Sequence, residues 1–276
     1  MTDLPLVWRP GEGWEPSGGP GGALLAADSW LVRDGRVRGL DRHRQRFFEA
    51  CREAAGAPPE RLWSFWRAAL DALPRQGRWF PRVELSTEPG SPDGREGSLR
   101  LWVRPAPPPA ADVQVWVPAT RDPRTVPRRK GPDLAALAEL RSGAARHSAQ
   151  EALLTSRGGL ILEAANASVL WWEGGRLCAP APGLSILPGV TSAIILERAR
   201  QLGVPVAHRR RPPTQLNGRE AWLVNALHGI RPVTRWREAP ILAGPARRAP
   251  AWQAWLDEMA EPLPDRPAAQ DEVLAG

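Results

Sequence analysis

Apolar positions recur at helical spacing in four stretches of the chain and at strand-like spacing between them. After Asp41, which can cap a helix, residues 42–55 bring Phe47, Phe48 and Cys51 onto one face. Residues 60–73 align Leu62, Phe65, Trp66, Ala69 and Leu73 in the same way. Asp133 starts a third helix over 134–146, with Leu134, Leu137, Ala138 and Leu140 apolar, and the run LPGVT at 187–191 opens a fourth over 192–202. Residues 23–40 alternate about Asp34-Gly35 as a hairpin would, and WFPRVELS and SLRLWVRP make a second hairpin around the polar loop 87–97. DVQVWVP reads as a strand, 151–180 as a β-meander turning at 157–159 and 173–175, and VPVAH, EAWLVNAL and IRPVTRW as further strands. The chain has no internal repeat.

Strands of mixed direction with few, unevenly placed helices predict an α+β fold and argue against a doubly wound parallel sheet; no GxGxxG is present. A length of 276 residues with 42% apolar content supports two cores. The stiff segment PAPPPAA at 105–111 is the best linker. It divides a smaller domain, 1–104, from a larger one, 112–276. Residues 1–22, rich in Gly and Pro, read as an irregular lead-in, and the tail beyond about residue 263 as loose.

A net charge of +7 and a pI near 11 raise nucleic-acid binding as a possibility. The arginines are spread among 30 acids without aromatic interleaving, which makes that an outside reading beside catalysis. Cys51 and Cys178 have neither metal-site nor disulfide-scaffold spacing, so they read as free buried thiols with no metal site, and the chain as cytoplasmic. The first residues lack a signal-peptide pattern, and no run approaches the ~18 apolar residues of a membrane span. With no tyrosine in the chain, any mechanism that needs a phenol is excluded.

Lys130 is the single lysine among 37 basic side chains. Arginine serves wherever only charge is needed, whereas a primary amine can attack a carbonyl to form an imine. Coding bias toward arginine is the competing account. Gly189-Val190-Thr191 precedes a helix, where free N–H groups and the helix dipole can bind a phosphate, Gly189 lets the backbone approach and Thr191 adds a hydroxyl. On this feature alone, an ordinary helix start with a Thr cap is the commoner reading. Glu163 ends the apolar run LILE, where an inward acid is costly unless paired and could hold a pyridine nitrogen protonated, or it is a strand-end glutamate in water. Arg46 shares its helix with Phe47 and Phe48 and faces a pocket or solvent.

The run from Lys130 through GLILEAANASVLWW, LSILPGVTSAIILERARQLGV and EAWLVNALHGIRPV resembles the class IV aminotransferase family, the fold type IV pyridoxal-phosphate enzymes. The likeness covers about residues 25–240 and is strongest over 150–235. It implies the two-domain fold of that family, with a pseudo-barrel C-terminal domain, pyridoxal 5'-phosphate at the domain interface, and a homodimer. It further implies that Lys130 binds the cofactor aldehyde and moves protons at the substrate α-carbon, and that Glu163 pairs with the pyridine nitrogen. Val190 and Thr191 match the amides that bind the phosphate, Asn225 and Ala226 the loop that closes over it, and Arg46, in DRHRQRFF, the arginine of the family's HxxRL motif. Two departures stand out: GPDLAAL replaces the segment that in many members carries a tyrosine after the lysine, and Ser168 stands where many carry asparagine.

Members of the family either transaminate or eliminate. VNALHGIRPV and the compact N-terminal half look closest to the 4-amino-4-deoxychorismate lyases, which release 4-aminobenzoate and pyruvate in folate biosynthesis; branched-chain or D-amino-acid transamination is the alternative. A small amino-acid-type substrate needs cations for its carboxylates, for which Arg82 and Arg104 are candidates, with Trp30 as a cleft wall.

Overall fold

The computed structural model describes residues 5–17, 22–88 and 97–266. The polar loop predicted at 87–97 and the tail beyond 266 lie mostly or wholly outside the described residues. The N-terminal half begins with a hairpin, β1 (Leu6–Arg9) and β2 (Gly13–Pro16), where an irregular lead-in was expected. Its Trp8 and Trp14 rings meet Phe65 edge-on at 5.9 and 5.8 Å, and that aromatic contact holds a Gly- and Pro-rich segment in strand form. β3 (Leu24–Ser29) does not pair with the strand after it, as a simple hairpin would. The small ribbon of β4 (Val32–Arg33) and β5 (Arg36–Val37) forms around Asp34-Gly35, and β3 instead joins β7 (Arg82–Thr87). With β6 (Arg78–Trp79) and β8 (Gly97–Trp102) in place, the five-stranded sheet runs β2-β1-β8-β7-β3.

Helices α1 (Leu40–Ala55) and α2 (Pro59–Asp71) cover this sheet. α1 starts two residues earlier than its pattern suggested, after Gly39, and Asp41 lies in the first turn paired with Arg44 at 2.7 Å. His43, Phe47, Ala50 and Cys51 of α1 and Leu62, Phe65, Trp66, Ala69 and Leu70 of α2 form the buried faces, as i, i+3, i+4 spacing requires. Fully burying such a side chain contributes about 1.5–3 kcal/mol, so this cluster is the main stabiliser of the first half.

The second half carries β9 (Val113–Trp116), α3 (Leu134–Arg146), β10 (Glu151–Thr155), β11 (Ile161–Ala164), β12 (Ser168–Glu173) and β13 (Arg176–Pro180). There follow α4 (Val190–Gln201), β14 (Val206–Arg209), β15 (Ala221–Asn225) and β16 (Gly229–Arg237). Its eight-stranded sheet is mixed, in the order β11-β10-β9-β16-β15-β12-β13-β14, with β9 parallel to both neighbours. The segment 151–180 is thus two hairpins at separate places in the sheet and not one meander. A bond from the Ile161 amide to the Arg211 carbonyl, 2.8 Å, brings one edge back toward the chain leaving the other and curls the sheet toward closure.

Period-2 alternation explains how both faces of this sheet are buried. Val169, Trp171, Ala221 and Leu223 point inside the curl, while Leu170, Trp172, Trp222 and Val224 point out, under α4 and α5 (Ala249–Glu258), a helix the pattern reading did not include. After α5 the chain crosses back. β17 (Glu261–Pro262) pairs with β5, Leu263 enters the first core, and Arg266 donates to the Leu73 carbonyl at 2.9 Å. Residues 261–266 are therefore tied to the N-terminal half, although the sequence places them with everything after 112; of the tail expected to be loose, only 264–266 lie among the described residues. Residues 105–111 run between β8 and β9, with Pro105 bridged to Trp79. Both cysteines are free and buried. Among the described residues no helix is long and apolar enough to cross a membrane.

Candidate active site

Lys130 lies in the loop between β9 and α3, and three contacts fix that loop. Its own carbonyl accepts from the Ala27 amide of β3 at 2.8 Å, joining the two halves. The Asp133 carboxylate accepts from the Thr125 amide and hydroxyl and the Val126 amide at 2.8–2.9 Å. Gly131 has φ 137° against β3, where a Cβ would stand 2.8 Å from the Ala26 Cα, so no side chain fits. Burial lowers the Lys130 pKa from 10.5 to about 8, helped by the Arg46 and Arg82 charges and opposed by Asp28 and Glu163.

Glu163 ends β11 with its side chain turned inward and buried. Its Oε1 accepts from the Arg124 guanidinium and from the Leu187 amide, the latter at 2.8 Å, leaving Oε2 free for another donor. Burial pushes its pKa up against the pull of Arg124. Arg124 is held in turn by Asp122 at 2.8 Å and by the Ser185 carbonyl at 3.0 Å.

Arg46 faces the site and not solvent. Its Nε and Nη2 grip both oxygens of Asp28 at 2.8 Å, and Nη1 donates to the Pro188 carbonyl at 3.0 Å. His43 Nδ1 completes the group at 2.8 Å from Asp28. Burial alone would raise the Asp28 pKa, yet the Arg46 charge and the hydrogen bonds from Arg46 and His43 hold it well below the carboxylate range. Burial keeps His43 neutral, so Nδ1–H donates to Asp28.

Pro188 leads to Gly189, the N-cap of α4. No side chain caps this helix, the Val190 and Thr191 amides lack intrahelical acceptors, and both residues line the cavity. A Cβ at Gly189 would run into the Ser168 and Ser192 hydroxyls, which would have to turn away to admit a side chain. Asn225 and Ala226 stand across the cavity. The Asn225 side chain is occupied by the Asn166 carbonyl (3.1 Å) and the His228 amide (2.8 Å), and the Ala226 carbonyl accepts from Arg38 at 3.2 Å.

Lys130, Arg46, Glu163, Gly189, Val190, Thr191, Asn225 and Ala226 thus border one cavity of about 110 Å³. A second cavity of about 620 Å³ adjoins it, with Lys130, Arg46 and Glu163 in the shared wall. Three expected residues stand elsewhere. Trp30 is fully buried in the first core, its ring 5.0 Å from Trp66, because the β3 end turns it toward the helices and away from the cleft. Arg82 pairs with Glu84 and lies over Trp102, and Arg104 donates to the Phe80 carbonyl from over the Phe80 ring. Neither arginine borders these two cavities. Sequence reasoning missed Asp28, His43 and Arg124; of these Asp28, an acid inside the apolar run LLAADSW, and His43, the histidine three residues before Arg46 in the HxxR pattern, carried a signal.

Residues 25–236 match the family described as amino-transferase class IV. No curated protein matches the chain. Among solved structures, the chain is similar to the branched-chain amino acid aminotransferase from Escherichia coli, at 19% identity over 93% of each chain with a TM-score of 0.77. It is also similar to a putative 4-amino-4-deoxychorismate lyase from Legionella pneumophila, at 18% identity over 89% of this chain and 96% of that one, TM-score 0.75. The PLP-bound form of a hypothetical aminotransferase from Mycobacterium tuberculosis gives 20%, 92%, 98% and 0.72. At these identities the structural likeness speaks to the α+β fold, and the match over 25–236 speaks to the family. The chain belongs to the class IV aminotransferase family and is a pyridoxal-phosphate-dependent enzyme.

Proposed function

We propose that this enzyme is an aminodeoxychorismate-lyase-like member of its family, acting as a homodimer. The residues present fit the cofactor: a lysine with its pKa drawn down to about 8, an acid with one oxygen unclaimed, and two open amides at a helix N-terminus. When bound, pyridoxal phosphate supplies an electron sink for the electrons left by a departing α-proton.

Lys130 is the residue that holds the cofactor aldehyde carbon and, once freed by the substrate amine, carries the α-proton. Glu163, through Oε2, holds the proton on the pyridine nitrogen. Val190, Thr191 and Arg46 bind the phosphate, and Asp28 and His43 fix the direction in which Arg46 points. Asn225 and Ala226 close the far wall.

The observation that carries the lyase reading is the adjoining cavity of about 620 Å³, which leaves room beside Lys130 for a ring-bearing substrate. The likeness of VNALHGIRPV to that branch supports it. Incubation with aminodeoxychorismate tests the reading, beside parallel reactions of leucine or D-alanine with 2-oxoglutarate. Pyruvate release without glutamate is the expected result; glutamate formation would overturn it in favour of a transaminase. Lys130→Arg keeps the charge and should abolish the borohydride-sensitive absorption while the fold survives. Turnover by that variant would remove Lys130 from the mechanism.

A further inference from the structure

The arginines bordering the two joined cavities are Arg42, Arg46, Arg124, Arg128 and Arg129. All but one are engaged. Arg42 pairs with Glu197, Arg46 with Asp28, and Arg124 with Asp122 and Glu163. Arg128 donates to the carbonyls of Pro182 and Leu184 at 2.9 and 3.0 Å. Arg129 differs. Its backbone amide is bonded to the Val126 carbonyl, but its side-chain Nε is buried without a hydrogen-bond partner, and no described acid lies within ion-pairing distance. It borders both cavities and directly precedes Lys130. Glu49 and Glu53 of α1 also border the larger cavity but are exposed, where water and salt screen them.

A buried N–H without an acceptor is costly, and the planar fork of guanidinium N–H groups matches a carboxylate two-to-two. The geometry points to Arg129 as the group that binds the substrate carboxylate beside Lys130 and so selects amino acids over simple amines. This inference rests on the cofactor chemistry proposed above. It assigns to Arg129 the role first expected of Arg82 and Arg104, neither of which borders these two cavities.

Glycine and methylamine differ only by the carboxylate, and both are achiral, so they isolate its contribution. Each is titrated into the cofactor-loaded protein, the affinity is read from the change in cofactor absorption, and cofactor uptake is measured separately by equilibrium dialysis. In Arg129→Gln, glycine should bind about 10- to 100-fold more weakly while methylamine changes by less than about threefold. Any effect of the lost charge on Lys130 falls on both probes and cancels in their ratio. Arg129→Met, which removes an uncompensated cation, gives a second route should the glutamine variant not fold. An unchanged ratio overturns the assignment, as does a loss of cofactor affinity with the ratio intact, which would make Arg129 a cofactor anchor. A wild-type protein without borohydride-sensitive absorption would instead defeat the underlying cofactor reading.

Discussion

Asp28 and Glu163 are both buried carboxylates gripped by an arginine, one from each half of the molecule, and both act on Lys130. Their ionisation is nevertheless shifted in opposite directions. The difference lies in how the two oxygens are used. Asp28 has both claimed, by Arg46 at Oδ1 and Oδ2 and by His43 at Oδ1, so its charged form is fully compensated. Glu163 takes both of its bonds on Oε1 and keeps Oε2 in reserve, so burial outweighs the pairing. A saturated carboxylate is a brace, and a half-satisfied one is a site awaiting a donor.

Breaking the brace should have the larger effect. Asp28→Asn leaves Arg46 without its counter-charge and should cost about 3–5 kcal/mol in urea unfolding of the cofactor-free protein. The pH dependence follows from the sign of the shift. A depressed pKa stabilises the fold above the ordinary value of 3.8, and that contribution disappears as pH falls toward and through the native pKa. The variant's stability should therefore fall less steeply below about pH 4 than the wild type's. A loss under about 1 kcal/mol at neutral pH would show that Asp28 does not brace Arg46.

Glu163→Gln should do the reverse, with little harm to the cofactor-free fold and a large loss of function. A raised pKa stabilises the fold below the ordinary 4.5 and loses that contribution as pH rises through the native value. Once ionised, the side chain favours the fold less than its neutral form does, so the glutamine variant should melt at or above the wild-type temperature. Its kcat should fall about 100-fold, because an amide cannot hold a proton on the pyridine nitrogen as a carboxylate does. A destabilisation as large as that of Asp28→Asn would erase the contrast between the two acids.

The same contrast marks how far the site could be read from residues alone. Lys130 stood out because it was the single lysine, and Glu163 because it closed an apolar strand. Arg124 grips Glu163 and Arg129 borders both cavities, but arginine is too common in this chain for any one to be distinctive. Trp30 was misplaced because alternation says that a strand-end ring points to one face without saying which face is core. α1 and α3 were legible from helical periodicity. α5 was not, although Trp252, Trp255 and Leu256 have the right spacing, because Pro and Arg flank it and its burial depends on a sheet face formed by distant residues. The return of β17 to β5 is a long-range pairing of two residues, below anything a local pattern can show.

The smallest effect expected is also the one that weighs the two acids against each other. With Lys130 drawn down to about 8, the rate at which cofactor-free protein takes up free pyridoxal should rise about tenfold per pH unit and level off near pH 8, as only the neutral amine reacts. Pyridoxal lacks the phosphate, so the rate reports on the lysine with little contribution from Arg46 binding. Removing either acid takes away a charge that favours the ammonium, so the plateau should begin at lower pH in both variants. The Asp28 charge acts on Lys130 more strongly than the Glu163 charge, so Asp28→Asn should move the inflection further, with Glu163→Gln shifting it by less than about one unit. An inflection remaining near 10.5 in the wild type would mean that the amine is solvated. The reverse order of the two shifts would mean that the reserved oxygen of Glu163 lies nearer to the amine than the saturated carboxylate of Asp28.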